Sequence, residues 1–181
     1  MPTKRKQNTY FVQVVNRPAR KLILRRGIKA YHYFEYANEV GWGVEQELKK
    51  IKGTLHEPCG MWLPKNLRKP GTSEFVMGVE MPANYKGKVP AGFEIIDLKP
   101  CKMMVFQGPP FDDGNPKIAQ KAIMDLWAVL ETYNPELYGF TWADEDGPRL
   151  QLAPQGKRGH IELLPVRPFK KGKSTTPSIA L

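Results

Sequence analysis

Two short passages of this chain occur twice in the same order, and that weak internal repeat constrains its fold more than any other feature. Residues 18–27, PARKLILRRG, resemble residues 100–108, PCKMMVFQG, with one residue fewer. Each is a proline, a small residue, a basic residue, an apolar run and a glycine leading towards a helix. Residues 78–82, GVEMP, and 160–165, HIELLP, each set a glutamate in an apolar strand that stops at a proline. Proline suits a strand end because it cannot donate to the ladder.

Reading outward from these passages, each half has the order β-α-β-β. The first half is read as a strand over Tyr10–Arg25, a helix over about Tyr33–Lys52, a short strand over Gly60–Leu63 and a strand over Glu74–Met81. The second is read as a strand over Phe93–Gln107, a helix over Pro116–Tyr133, and strands over Arg149–Ala153 and Gly159–Arg167. The pseudo-repeats therefore cover about residues 10–82 and 93–167 of one domain, 10–168, with a basic N-terminal tail (1–9) and a flexible tail (169–181).

The second helix has the firmest local signals. Asn115 can cap it, Pro116 suits its first position, and Asn134-Pro135 stops it. Ile118, Ala122, Leu126, Val129 and Tyr133 recur at helical spacing, and Trp127 and Leu130 widen the stripe to the breadth of a helix lying on a sheet. The first helix is weaker, because Gly41 and Gly43 each cost up to ~1 kcal/mol relative to alanine. A break is expected near Gly41-Trp42-Gly43.

Composition narrows the function classes. A chain of 181 residues, 41% hydrophobic and 25% charged, fits one well-packed globular core. No apolar run approaches the roughly 20 residues of a membrane helix, and no apolar segment follows the basic start, so a soluble, cytoplasmic protein is expected. Cys59 and Cys101 lack ligand spacing and are read as reduced thiols. The formal charge is +10, but six of the 28 basic residues lie in the two ends. The densest remaining stretch, Arg17 to Lys29, also reads as strand. No nucleic-acid-binding consensus accompanies it, so direct DNA binding is not expected. Dedicated enzyme motifs are absent, and His32, His56 and His160 are scattered, so neither a metal nor a cofactor is expected.

Glu162 is the leading candidate for chemistry. Its neighbours Ile161, Leu163, Leu164 and Val166 are all apolar, as in a strand covered on both faces. A carboxylate there is protonated, paired with an arginine or lysine, or awaiting a cation, unless the strand lies at a solvated edge. Glu80, in FVMGVEMP, occupies a similar place in the first half, and the two acids could form a pair for acid–base work. The aromatics are core residues in the main, with a subset able to stack on an aromatic cation.

The stretch from Glu57 to Val166 resembles the gyrase-inhibitor-like (GyrI-like) effector-binding domain found in AraC- and MerR-type bacterial regulators. The residues that carry this are EPCGMWLP, SEFVMGVEMP, KVPAGFEIIDLKPCKMMVFQGPPF and PRLQLAPQGKRGHIELLPVR. The resemblance implies an α+β fold, a duplicated β-α-β-β module whose antiparallel sheet carries two helices. It implies a pocket between the halves with an acidic anchor for cationic, lipophilic compounds. Glu162 matches that acid, and Trp62, Phe106, Tyr33, Tyr36 and Trp142 are the nominated lining. The chain has no room for an additional DNA-binding domain, so the resemblance is to a free-standing member. Three roles follow: a sensor or sequestering binder of small amphipathic ligands, alone or as partner of a transcriptional regulator; a hydrolase of electrophilic, cyclopropane-type compounds using Glu162 or Glu80; or a protein that acts on gyrase or a transcription complex.

Overall fold

The computed structural model describes residues 9–169, so the expectations for the two tails fall almost wholly outside the described residues. The strands are β1 (Phe11–Arg17), β2 (Arg20–Arg26), β3 (Cys59–Trp62), β4 (Phe75–Pro82), β5 (Glu94–Leu98), β6 (Cys101–Gln107), β7 (Phe140–Trp142), β8 (Arg149–Gln151) and β9 (Ile161–Pro168). The helices are α1 (Tyr33–Val40), α2 (Val44–Lys49) and α3 (Pro116–Thr132). Every strand pairing is antiparallel, in the order β1-β6-β9-β8-β3-β4-β2-β5, with β7 added beside β9.

Each long strand expected from sequence is two strands. The first divides around Pro18-Ala19, so that β1 pairs with β6 of the second half while β2 pairs with β4 of the first. The second divides at Lys99-Pro100, so that β5 returns to β2 and β6 pairs with β9. Proline has no N–H for the ladder, so Pro18 and Pro100 mark where the chain leaves one pairing for another. Each half thus lends its first strand to the edge of the other, and the strand order reads symmetrically about the β8–β3 contact.

The expected break in the first helix is present. Gly41 takes φ 107°, a conformation open to glycine, and closes α1 with its N–H on the Ala37 carbonyl. α3 begins as read: the Asn115 side chain accepts from the Lys117 N–H at 3.0 Å, and Pro116 fills the first turn.

Alternation along the strands builds three apolar clusters. Leu22, Leu24, Met61, Val76, Met103, Leu150 and Leu163 belong to one face, which buries itself without a helix. On the other face, α1 and α2 cover Ile23, Phe75, Met77 and Val79, while α3 covers Met104, Phe106 and Val166 through Leu126. Two helical units therefore sit side by side on one face, and the strip of sheet between them is where a cleft can form.

Candidate functional site

The cleft lies over β3, β8 and β9. It encloses about 620 Å³, with Tyr31 and Trp62 on one side and Trp127, Leu130 and Trp142 on the other. The register explains its floor. Trp62 pairs with Arg149 across β3 and β8, and Gln151 pairs with Glu162 across β8 and β9. All four point to the helix-bearing face, so Arg149 reaches Glu162 diagonally.

Glu162 is 0% exposed and does not itself line the cleft. Its Oε2 accepts from Arg149 Nε at 2.7 Å and from Nη2. Its Oε1 accepts from Gln151 Nε2 at 3.3 Å, contacts His160 Nε2 at 3.2 Å, and accepts the indole N–H of Trp127. Of the alternatives open in the sequence, the paired one holds, and the partner is Arg149. That guanidinium is 30% exposed and stands 4.8 Å from the Trp62 ring and 5.6 Å from the Trp127 ring. It forms the polar floor of the cleft, within the range of cation–π attraction to both indoles.

Supporting contacts fix the walls. Trp62 donates its indole N–H to the Tyr31 carbonyl at 2.8 Å and packs edge-on against Phe75, 5.1 Å between centroids. Phe75 fits there because position 60 is glycine: a Cβ on Gly60 would lie 2.7 Å from the Phe75 ring. The Trp62 and Trp127 rings meet edge-on at 6.3 Å, so one wall from each half closes on the same guanidinium.

The other nominated residues separate. Trp142 lines the cleft with Trp62. Phe106 is buried one layer beneath, beside Glu162 on the next strand, and packs on Tyr133 at 4.8 Å. Tyr36 is not lining: its ring packs on Phe75, its hydroxyl donates to the Arg25 carbonyl at 2.8 Å, and burial pushes its phenol well above the usual value. Tyr33 turns to Phe34 and Trp42 instead. Sequence reasoning missed Arg149, Trp127 and Tyr31. Trp127 was visible as the residue that widens the α3 stripe, but nothing in the spacing of Arg149 pointed at Glu162.

Glu80 is a different case. It is also 0% exposed, but it faces the opposite side of the sheet, with Leu22 as its register partner. It accepts from Arg20 Nε at 2.8 Å and from Arg17, with His56 Nε2 at 3.5 Å. Burial alone would raise the Glu80 carboxyl, but the His56 hydrogen bond and the Arg20 and Arg17 charges outweigh it and hold the group below its ordinary value. The two glutamates therefore cannot form the catalytic pair raised by the sequence, because the sheet lies between them. Four of the six basic residues in the stretch from Arg17 to Lys29 are paired: Arg17 and Arg20 serve Glu80, Lys21 pairs with Asp97, and Arg26 with Glu94.

No protein-family model and no curated protein matches the chain. Solved structures do. A protein from Staphylococcus aureus MU50 described as a candidate bacterial transcription regulator is 17% identical, over 87% of this chain and 98% of that one, with a TM-score of 0.51. SAV2435 bound to tetraphenylphosphonium is 16% identical over 87% and 94%, with a TM-score of 0.54. The EcmrR C-terminal domain is 12% identical over 88% and 98%, with a TM-score of 0.50. These neighbours share the fold that the sequence resemblance implied. The chain has the GyrI-like fold. Its α+β architecture, the large antiparallel sheet with few helices, is the one the resemblance implied. Within that GyrI-like fold the cleft falls between the two halves, and no helix among the described residues is long and apolar enough to cross a membrane.

Proposed function

We propose that this chain binds a small amphipathic compound, aromatic and cationic, in the cleft between its halves. The observation that carries this reading is the Trp62–Arg149–Trp127 stack over the buried carboxylate of Glu162. Two indoles already hold a planar cation against an acid, which is the environment an aromatic or lipophilic cation needs. Charge supports it further. Glu131 and Asp144 face the cleft without an ion pair among the described residues, while Arg68 is matched by Glu74 and Arg149 by Glu162. The lining therefore carries surplus negative charge. The tetraphenylphosphonium held by SAV2435, a protein of the same fold, points to the same ligand class.

Both oxygens of Glu162 are engaged by donors, which leaves no free lone pair aimed at a water molecule. That arrangement favours a binder, acting as sensor, sequestering protein or partner of a regulator, over a hydrolase. The test is calorimetric titration with tetraphenylphosphonium, rhodamine and a neutral analogue, triphenylphosphine oxide. Low-micromolar binding of the cations is expected, about −8 kcal/mol. Glu162→Gln should weaken the cations far more than the neutral compound. Equal loss for both would remove the electrostatic part of the reading, and the absence of any binding would remove the whole.

A further inference from the structure

The guanidinium of Arg149 stands where the charge of a ligand would stand. It is walled by Trp62 and Trp127 and lies against the only buried carboxylate on this face of the sheet among the described residues. The remaining contacts of Glu162 differ in kind. Gln151 and the Trp127 indole are neutral donors, and His160 is wholly buried and does not line the cleft. Arg149 is thus the one full, permanent cation that touches both Glu162 and the cavity.

Its attachment allows it to leave. The side chain is long and partly exposed, and it projects from β8, only three residues long, just after the Asp144–Asp146 turn. The acids without an ion pair, Asp144 and Glu131, line the same cavity. A guanidinium released from Glu162 has carboxylates to move to without entering the apolar walls.

We propose that Arg149 is a displaceable internal cation, which holds Glu162 until an incoming organic cation exchanges with it and sends the guanidinium to the acidic rim. This rests on the reading of the cleft as a ligand site and adds a regulating element to it. Neutral and anionic compounds cannot drive the exchange, because they offer Glu162 no replacement charge. Arginine therefore acts as a selectivity filter. It also lowers the affinity for cations, since binding counts only the fraction of molecules in which the slot is open.

The test compares wild type, Arg149→Gln, Arg149→Lys and the double variant Arg149→Gln/Glu162→Gln, each titrated with tetraphenylphosphonium and with triphenylphosphine oxide. Arg149→Gln is expected to bind the phosphonium at least about tenfold more tightly than wild type, with neutral binding changed less than about twofold. Arg149→Lys should fall between, because an ammonium lacks the planar stack. The double variant should lose the gain. Unchanged or weaker phosphonium binding by both single variants overturns the proposal, and it leaves the ligand-site reading standing if wild type binds. If no variant binds either compound, both fall. Wild type gives a second readout that needs no substitution. The Arg149 Nε–H proton, hydrogen-bonded to Glu162, should be protected in the free protein and exchange rapidly once phosphonium is added. Protection that persists in the complex overturns the exchange.

Discussion

Glu162 and Met77 occupy corresponding positions in the two halves of the sheet. Phe106, two residues before Gly108, pairs with Glu162, and Arg25, two residues before Gly27, pairs with Met77. The same correspondence sets Gln151 against Gly60, which are themselves register partners, and Arg149 against Pro58. The acid and its arginine therefore belong to one half, and the other supplies an aromatic wall. Met77→Glu should show how specific that division is. Met77 is buried, and its half has Pro58 where the other has the guanidinium. The variant is expected to lose about 3 kcal/mol or more in urea unfolding, whereas Met77→Leu should cost less than about 1.5 kcal/mol.

Glu80 should matter to stability and not to the cleft. Its removal strands Arg20, which is buried and otherwise holds only the Pro18 and Lys99 carbonyls and the Cys101 sulfur. Breaking one side of such a buried pair costs about 3–5 kcal/mol, and this is the loss expected for Glu80→Gln in chemical denaturation. Asp97→Asn, which removes the exposed partner of Lys21, should stay within about 0.5 kcal/mol of wild type. Ligand affinity should be unchanged in both, measured well below their unfolding midpoints.

The His56–Glu80 contact predicts a pH dependence with a definite sign. Burial alone would lower the His56 imidazole, but the Cys59 sulfur and the Glu80 carboxylate hold it up, to about 10. Burial pushes the Cys59 thiol up. A folded value above the unfolded one means that folding takes up a proton between them. The stabilisation from His56 is therefore complete below about pH 6.5 and is lost as pH rises towards 10. Unfolding measured at pH 6, 8 and 10 should show the gap between wild type and His56→Gln closing with pH, at no more than about 1.4 kcal/mol per unit. A constant gap would contradict the protonated state. Glu80 acts at the other end, where its contribution disappears as pH falls through its lowered value.

What the sequence made legible follows the range of the interactions. The repeat, the capped helix at Asn115-Pro116 and the helix break at Gly41 are local signals, and the fold keeps all of them. The repeat misled at one point. Matching GVEMP to HIELLP aligned Glu80 with Glu162, but the pairing register aligns Glu162 with Met77, three residues earlier and on the other face. Alternation has period two, so an odd slip in alignment exchanges the faces. The partner of Glu162 was illegible for a different reason. Arg149 lies 13 residues away, in a three-residue strand too short to carry a pattern, and only the β8–β9 register brings it diagonal to the acid.

The acidic rim should control how fast a cation arrives more than how long it stays. Glu131 projects from α3 and Asp144 from the turn after β7, both exposed at the cleft, where water and salt screen them. A charge in that setting bends the path of an approaching cation but holds little of it once bound. Glu131→Gln and Asp144→Asn are each expected to slow phosphonium association roughly twofold at low salt, with dissociation nearly unchanged because either variant leaves the other acid to receive the released guanidinium. The effect should fade as ionic strength rises, and binding of the neutral phosphine oxide should not respond. Stopped-flow quenching of Trp62 and Trp127 fluorescence at two salt concentrations would resolve the rates. A faster dissociation in place of a slowed association would place these acids in contact with the bound ligand and take steering away from them.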